Sequence, residues 1–202
     1  MKRSVPEKTS DDKIIARVLE GHANAFEELL VKYQAHVMKI VGRHIPHDRV
    51  QEVAHDVFVR AYKSLPTFKN KGSFTAWLSS VAVRTCYDYW RKQYRNKEFP
   101  MSSLSENHQE WIQKTLSDRA GDTYNRKTSQ KEAKEVLSWA MERMTPEEKM
   151  IIQLIHLQEL SGKEAATLLG WSVANVKIKA YRSRKKLRKI LLELSDAGEK
   201  RA

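Results

Sequence analysis

Residues 144–190, MTPEEKMIIQLIHLQELSGKEAATLLGWSVANVKIKAYRSRKKLRKI, decide the fold of the second half of the chain. Two helix starts are signalled here. Thr145 is a suitable N-cap, Pro146 stands at the first helical position, and two acids follow near the positive end of the helix dipole. Ser161, with Glu164 three residues later, has the spacing of a capping box. The stretch therefore predicts one helix after Thr145 and a second, short helix to Leu169.

A glycine-containing turn, Gly170-Trp171-Ser172, follows the short helix and precedes a longer one predicted from Val173 to about residue 192. A short helix, a tight turn and a longer helix form the helix-turn-helix layout, whose second helix enters the major groove of DNA. The apolar face of that second helix is predicted to comprise Val173, Val176, Ala180, Leu187, Ile190 and Leu191.

Basic residues crowd the same helix: Lys177, Lys179, Arg182, Arg184, Lys185, Lys186, Arg188 and Lys189. Such a density of positive charge favours neutralisation of DNA phosphates. The alternatives are a solvated basic face, or a basic amphipathic helix for a membrane or a protein partner. The capped helix and turn just upstream favour DNA.

Helical periodicity also governs the first half of the chain. One apolar stripe runs from Phe26 to Val41, with Asn24 as the expected N-cap. A second runs from Val50 to Leu65 and ends at Pro66, since proline cannot continue a helix.

A polar connector, residues 67–73, then leads into a long helix from Phe74 to about residue 95. Periodicity fades over residues 96–129, where polar side chains dominate, and this composition is typical of a flexible linker with a short helical piece around residues 111–116.

The tract over residues 68–95 mixes aromatic rings with basic side chains. Rings that stack on unpaired bases, next to cations that follow the backbone, are typical of surfaces for single-stranded nucleic acid. Aromatic residues at helical spacing are more often core, as expected for Trp77 and Tyr89, whereas Trp90 and Tyr94 lie among charges. The spacing alone leaves both interpretations open.

Composition limits the class of protein. The 202 residues carry a formal charge of +12, so the partner is expected to be a polyanion, either nucleic acid or an anionic membrane. No apolar run approaches the length of a bilayer span, and no apolar segment follows the basic residues of the start, MKRSVPEKTSDDK. With one cysteine, Cys86, no internal disulfide is possible. The sequence predicts a cytoplasmic protein without membrane insertion.

Catalysis and metal binding are not indicated. His44, His47 and Cys86 lack the spacing of a zinc site, and no phosphate-binding loop or motif-ordered Ser, His and Asp set is present. We expect no enzyme activity, no metal and no cofactor.

At two places the sequence resembles a known family. SFTAWLSSVAVRTCYDYWRKQYR, residues 73–95, resembles regions 2.3 and 2.4 of sigma-70-family factors, and residues 144–190 resemble their region 4. The chain is similar to the smallest members, the extracytoplasmic-function (ECF) sigma factors, from residue 11 to residue 190. The resemblance implies a factor that brings core RNA polymerase to promoter DNA, is a monomer when free, and is held in check by an anti-sigma factor.

The resemblance also implies roles for individual residues. The segment EVAHDVFVRAYKSL, residues 52–65, resembles region 2.2, which docks on the polymerase clamp; its exposed positions are Glu52, His55, Asp56 and Arg60. The family usually has Gln before an acid where this chain has His55 and Asp56.

For the minus-ten element the resemblance implies capture of a base flipped from the non-template strand, by the connector and the helix after it. The implied contacts are Phe68, Lys69, Lys71, Ser73, Arg84, Asp88, Trp90 and Arg91. The family commonly has Asn where this chain has Arg84, so the sequence does not specify the preferred base.

For the minus-thirty-five duplex the implied contacts are Lys163, Asn175, Lys177, Ile178, Tyr181, Arg182 and Arg184. Ile178 and Asn175 replace the family's usual small polar residue and Thr.

The fold class predicted is all-α, with two small helical domains joined by a flexible linker. The first domain is residues 11–96, the linker 97–129, and the second, a helix-turn-helix domain, 130–194. Two other functions stay open. One is a helix-turn-helix regulator with an N-terminal dimerisation or ligand-sensing domain, which leaves the aromatic and basic tract unexplained. The other is a basic protein-interaction module, which leaves the capped turn and its basic helix unexplained.

Overall fold

The computed structural model describes residues 10–68, 73–96 and 126–199, and within these ranges it contains helices and no strand. The α-helices are α1 (Ser10–Leu19), α2 (Phe26–His44), α3 (Val50–Ser64), α4 (Phe74–Asn96), α5 (Arg126–Glu142), α6 (Pro146–Ile151), α7 (Gly162–Leu169) and α8 (Val173–Glu199). The all-helical prediction is confirmed. Lys69, Lys71 and almost all of the predicted linker, with its helical piece, lie outside the described residues.

The described residues group into two compact units. Those up to Tyr89 form the first unit together with Ala166–Trp171, and those of Trp90–Ala165 and from Ser172 onward form the second. This division crosses α4 and α7, so it does not test the boundaries predicted from the sequence. Those boundaries stay a prediction.

The core of the first unit is built from α1 to α4. The predicted stripe of α2 is buried at Phe26, Leu29, Tyr33, Val37 and Val41. Against it pack the buried residues of α3, which are Val50, Val53, Ala54, Val57, Phe58 and Ala61. The two stripes predicted from the sequence therefore meet each other, as amphipathic helices must when they share one core.

The start of α2 differs from the prediction. A short 3-10 helix, Ala23–Ala25, precedes α2, and Ala25 occupies the N-cap position without a side-chain hydrogen bond. Asn24 lies inside the 3-10 helix, so its predicted role as N-cap is wrong. Helix α1, whose Ile14, Ile15 and Val18 are buried, had no predicted stripe.

Helix α3 ends at Ser64, two residues before Pro66 and close to the predicted end, and Pro66 lies inside the 3-10 helix Leu65–Thr67 that follows. In α4 the buried residues are Phe74, Leu78, Ala82, Val83, Thr85 and Cys86. Burial raises the pKa of the Cys86 thiol to about 12, so this cysteine is protonated and inert at neutral pH.

The second unit contains both predicted helix starts. Glu148 N donates to Thr145 Oγ1 at 3.3 Å and Thr145 N donates to Glu148 Oε2 at 2.7 Å, which completes a capping box before α6. Before α7, Glu164 N donates to Ser161 Oγ at 3.2 Å and Ser161 N donates to Glu164 Oε2 at 2.9 Å. Helix α6 runs directly into a π-helical segment, Ile152–Leu157. The core residues of the second unit include Val136, Ala140, Met144, Met150, Ile151, Ile152, Leu154 and Val176.

The turn between α7 and α8 depends on Gly170, whose φ of +71° is in the left-handed region. Because Ala pays about 1–2 kcal/mol there, Gly170→Ala is expected to destabilise the chain by about that amount. Gly162 is the matched control, since it lies in α7 without positive φ and a Cβ there would meet nothing within 4 Å. Urea unfolding of both full-length variants checks this; equal midpoints for the two would contradict it.

Candidate nucleic-acid interface

Helix α8 has one buried and one exposed face. Val176 and Ser183, seven residues apart, are each 1% exposed and mark the inner face. Ile178 and Tyr181 are large side chains left 52% and 63% exposed. Every residue predicted for the minus-thirty-five duplex is exposed: Lys163, Asn175, Lys177, Ile178, Tyr181, Arg182 and Arg184. The arrangement therefore leaves these side chains accessible to a ligand.

The prediction that Val173 belongs to the inner face of α8 is wrong, because its side chain is 40% exposed. It is the first residue of α8, next to the turn, and the buried face begins one turn later at Val176. Ser183 was not predicted to be buried, although its spacing of two turns from Val176 places it on that face.

Two of the basic residues on α8 bind acids of α6. Lys179 Nζ lies 2.7 Å from Glu147 Oε2, and Lys186 Nζ lies 2.7 Å from Glu148 Oε2. The sequence predicts instead that both lysines neutralise DNA phosphates. Their separation of seven residues, which matches two turns, was the signal for a shared face, but nothing local identified the acids as partners.

The predicted polymerase-binding residues share the exposed face of α3. Glu52, His55, Asp56 and Arg60 are all exposed, opposite the buried stripe. Arg49 Nη1 donates to Glu52 Oε2 at 3.2 Å. This surface mixes both signs of charge.

The polymerase-binding and minus-ten sets are joined by a direct contact. Arg60 Nη1 of α3 donates to Asp88 Oδ2 of α4 at 2.5 Å, with both side chains close to half exposed. A substitution at either residue therefore alters the surroundings of both predicted sites.

The minus-ten residues that the structure describes begin at an aromatic cluster. The Phe68 ring lies 5.7 Å from that of Phe74 and 5.4 Å from that of Trp77, between centroids. Ser73 and Arg91 are exposed. These rings hold the two ends of the connector together, and so place the start of α4.

Arg84 is exposed, and its Nε donates to the carbonyl oxygen of Leu168 at 3.2 Å within the first unit. Its guanidinium group carries further donors, which can serve another acceptor.

Trp90 is half-buried, and the Lys149 ammonium lies 4.1 Å from its ring centroid within the second unit. Burial lowers the pKa of Lys149 to about 8. One face of the Trp90 ring is thus already in contact with a cation, and its proposed stacking on a base stays a prediction.

Neither of two other classes of site is found in the described residues. No three His, Cys, Asp or Glu side chains there are grouped so that they could hold a metal ion. Within the same ranges, no helix has the length and apolar character needed to cross a bilayer.

The family models for sigma-70 region 2 and sigma-70 region 4 match residues 29–96 and 135–187, together more than half of the chain. Among curated proteins, the ECF RNA polymerase sigma-E factor of Escherichia coli K12 is 27% identical over 178 residues, covering 88% of this chain and 92% of that protein. The sigma-E factor of Haemophilus influenzae is 26% identical over 180 residues, covering 88% and 93%.

Two solved structures are also similar. One is CnrH in complex with the cytosolic domain of CnrY, at 24% identity and a TM-score of 0.47, covering 88% of this chain and 94% of that one. The other is the sigma factor RpoE in complex with the anti-sigma factor NepR from Bartonella quintana, at 17% identity and a TM-score of 0.48, covering 82% and 96%.

Proposed function

The chain belongs to the sigma-70 family, in its ECF subfamily, and on that premise we propose that it brings core RNA polymerase to specific promoters and initiates transcription there. The main support is that regions 2 and 4 occur in order in one chain, and that the second ends in a helix whose exposed face is basic.

Each region has its own task in this proposal. The exposed face of α3 binds the polymerase, the connector and α4 hold the melted minus-ten strand, and α7 with α8 reads the minus-thirty-five duplex. Extruding a base costs a few kcal/mol of stacking and pairing, so the minus-ten site must return that energy through stacking and hydrogen bonds. RNA synthesis itself belongs to the polymerase, and the chain needs no catalytic residue or cofactor for its part.

Regulation and location follow from the family resemblance. We propose that the free protein is a cytoplasmic monomer and that an anti-sigma factor withholds it from the polymerase. The curated relatives are sigma-E factors of nearly the same length.

Reconstitution tests the proposal. The purified full chain is added to sigma-free core polymerase with a library of random DNA inserts, and RNA ends are mapped. Transcripts that start at a recurring position downstream of a shared two-part element are expected. An operator-binding regulator would yield no transcripts in this assay.

Recognition of melted DNA is a second property that distinguishes a sigma factor from an operator-binding regulator. The holoenzyme is expected to bind a single-stranded oligonucleotide with its own minus-ten sequence more tightly than a scrambled single strand, because a pocket for an extruded base makes hydrogen bonds that the cognate base satisfies and other bases do not. Arg84→Ala should weaken that binding about two- to tenfold by removing a donor. Arg43→Ala, at an exposed residue in the last turn of α2, is the control. Equal binding of both oligonucleotides in a fluorescence titration would contradict the assignment.

A further inference from the structure

Two ion pairs connect helix α8 to the first turn of α6. Glu147 and Glu148 are adjacent in the first turn of α6, and their partners Lys179 and Lys186 are seven residues apart on α8. In a helix that separation is nearly two whole turns, about 10 Å along the axis. The two acids therefore hold the same edge of α8 at two heights.

The residue held between these points is Arg182. It follows Lys179 by three residues and precedes Lys186 by four, so all three side chains are neighbours along one edge of the helix. Arg182 is exposed, whereas Lys179 and Lys186 are half-buried. The edge of α8 that carries the two ion pairs thus lies beside the exposed face with Ile178, Tyr181 and Lys185.

We infer that Glu147 and Glu148 are positioning residues, which fix the rotation of α8 about its axis and so determine which of its side chains read the minus-thirty-five duplex. The inference rests on the proposed function. A rotation of about 20° would move a group 5–6 Å from the helix axis by about 2 Å, enough to break a hydrogen bond to a base edge.

The two ion pairs also divide the basic residues of α8 into two groups with different roles. Lys179 and Lys186 are neutralised by α6, whereas Lys177, Arg184, Lys185 and Arg188 are exposed and remain for phosphates. Positive charge is thereby concentrated away from α6. DNA is expected to approach α8 from that side alone.

Glu148 has a second task that constrains the choice of variant. The same carboxylate oxygen that binds Lys186 also accepts from Thr145 N in the capping box. Glu148→Gln keeps a side chain that can serve a capping box and removes the charge that pairs with Lys186.

A charge exchange tests the inference, because the double exchange keeps the net charge of the parent while each single variant changes it. Glu147→Lys, Lys179→Glu and the double exchange are each assembled with core polymerase. Initiation is measured on a promoter selected by the parent holoenzyme and on the same promoter with a scrambled upstream element. Each single variant is expected to lower the ratio of the two rates about five- to tenfold, and the double exchange should restore it to within about twofold.

Controls separate positioning from general charge and from folding. Glu193→Gln removes an ion pair with Lys189 that lies within α8, at 3.5 Å, and should leave the ratio unchanged. Glu148→Gln should lower the ratio about two- to threefold with only a small drop in thermal midpoint, because the capping box is kept and one charge at the start of α6 is lost.

Two results would overturn the inference: equal losses on both promoters in the single variants, or a double exchange that fails to restore the ratio. A parent holoenzyme without promoter-dependent transcripts would instead refute the proposed function.

Discussion

Replacing Glu52 and Asp56 together with arginine is expected to abolish binding to core RNA polymerase while the fold stays intact. Both side chains are exposed on α3, opposite its buried stripe, so the core loses nothing. Reversal of two charges in a complementary interface typically costs several kcal/mol, here an affinity loss of about 100-fold or more. Competition with the labelled parent for core polymerase measures the loss.

The matched control reverses two other acids of the first unit. Glu20 and Glu27 are exposed at the end of α1 and in the first turn of α2, and their double replacement by arginine gives the same change in net charge. This variant should compete like the parent. If Glu52→Arg with Asp56→Arg also competes like the parent, the polymerase does not dock on α3.

Arg182→Ala is expected to weaken binding of the holoenzyme to its cognate upstream element by about 1–3 kcal/mol, or about 5- to 150-fold, and to relax specificity at one position. Arg182 is exposed on α8 between Lys179 and Lys186, the two lysines that form ion pairs with α6, and its guanidinium can make a bidentate contact to guanine. Filter binding on the selected promoter and on single-base variants of it measures both effects.

Lys185→Ala is the comparison for Arg182→Ala. Lys185 is exposed one turn further along α8, and its replacement should weaken binding to all duplexes alike and reduce the salt slope by about one phosphate contact. Lys186 is the next residue, but its ion pair with Glu148 predicts a smaller change in salt slope for Lys186→Ala. Equal losses for Arg182→Ala on cognate and scrambled DNA would refute a base-reading role.

The sequence by itself predicted most of the helices and their caps. Signals such as Thr145-Pro146 and the pair Ser161 and Glu164 act within one turn, so they are legible without tertiary contacts, and the structure confirms them. The stripes of α2 and α3 were equally legible, because burial of one face imposes a 3.6-residue period. The family resemblance then assigned roles that periodicity does not contain.

What the tertiary structure decided is which side chains meet across elements. The bond from Arg60 to Asp88 spans 28 residues, and the pairs of Lys179 with Glu147 and Lys186 with Glu148 span 32 and 38. The spacing of exposed charged residues along a helix does not identify a distant partner. The sequence therefore could not show which lysines of α8 form ion pairs within the protein and which are left for DNA phosphates. Helix packing selects the partners, because only residues on facing edges come within a few ångströms of one another.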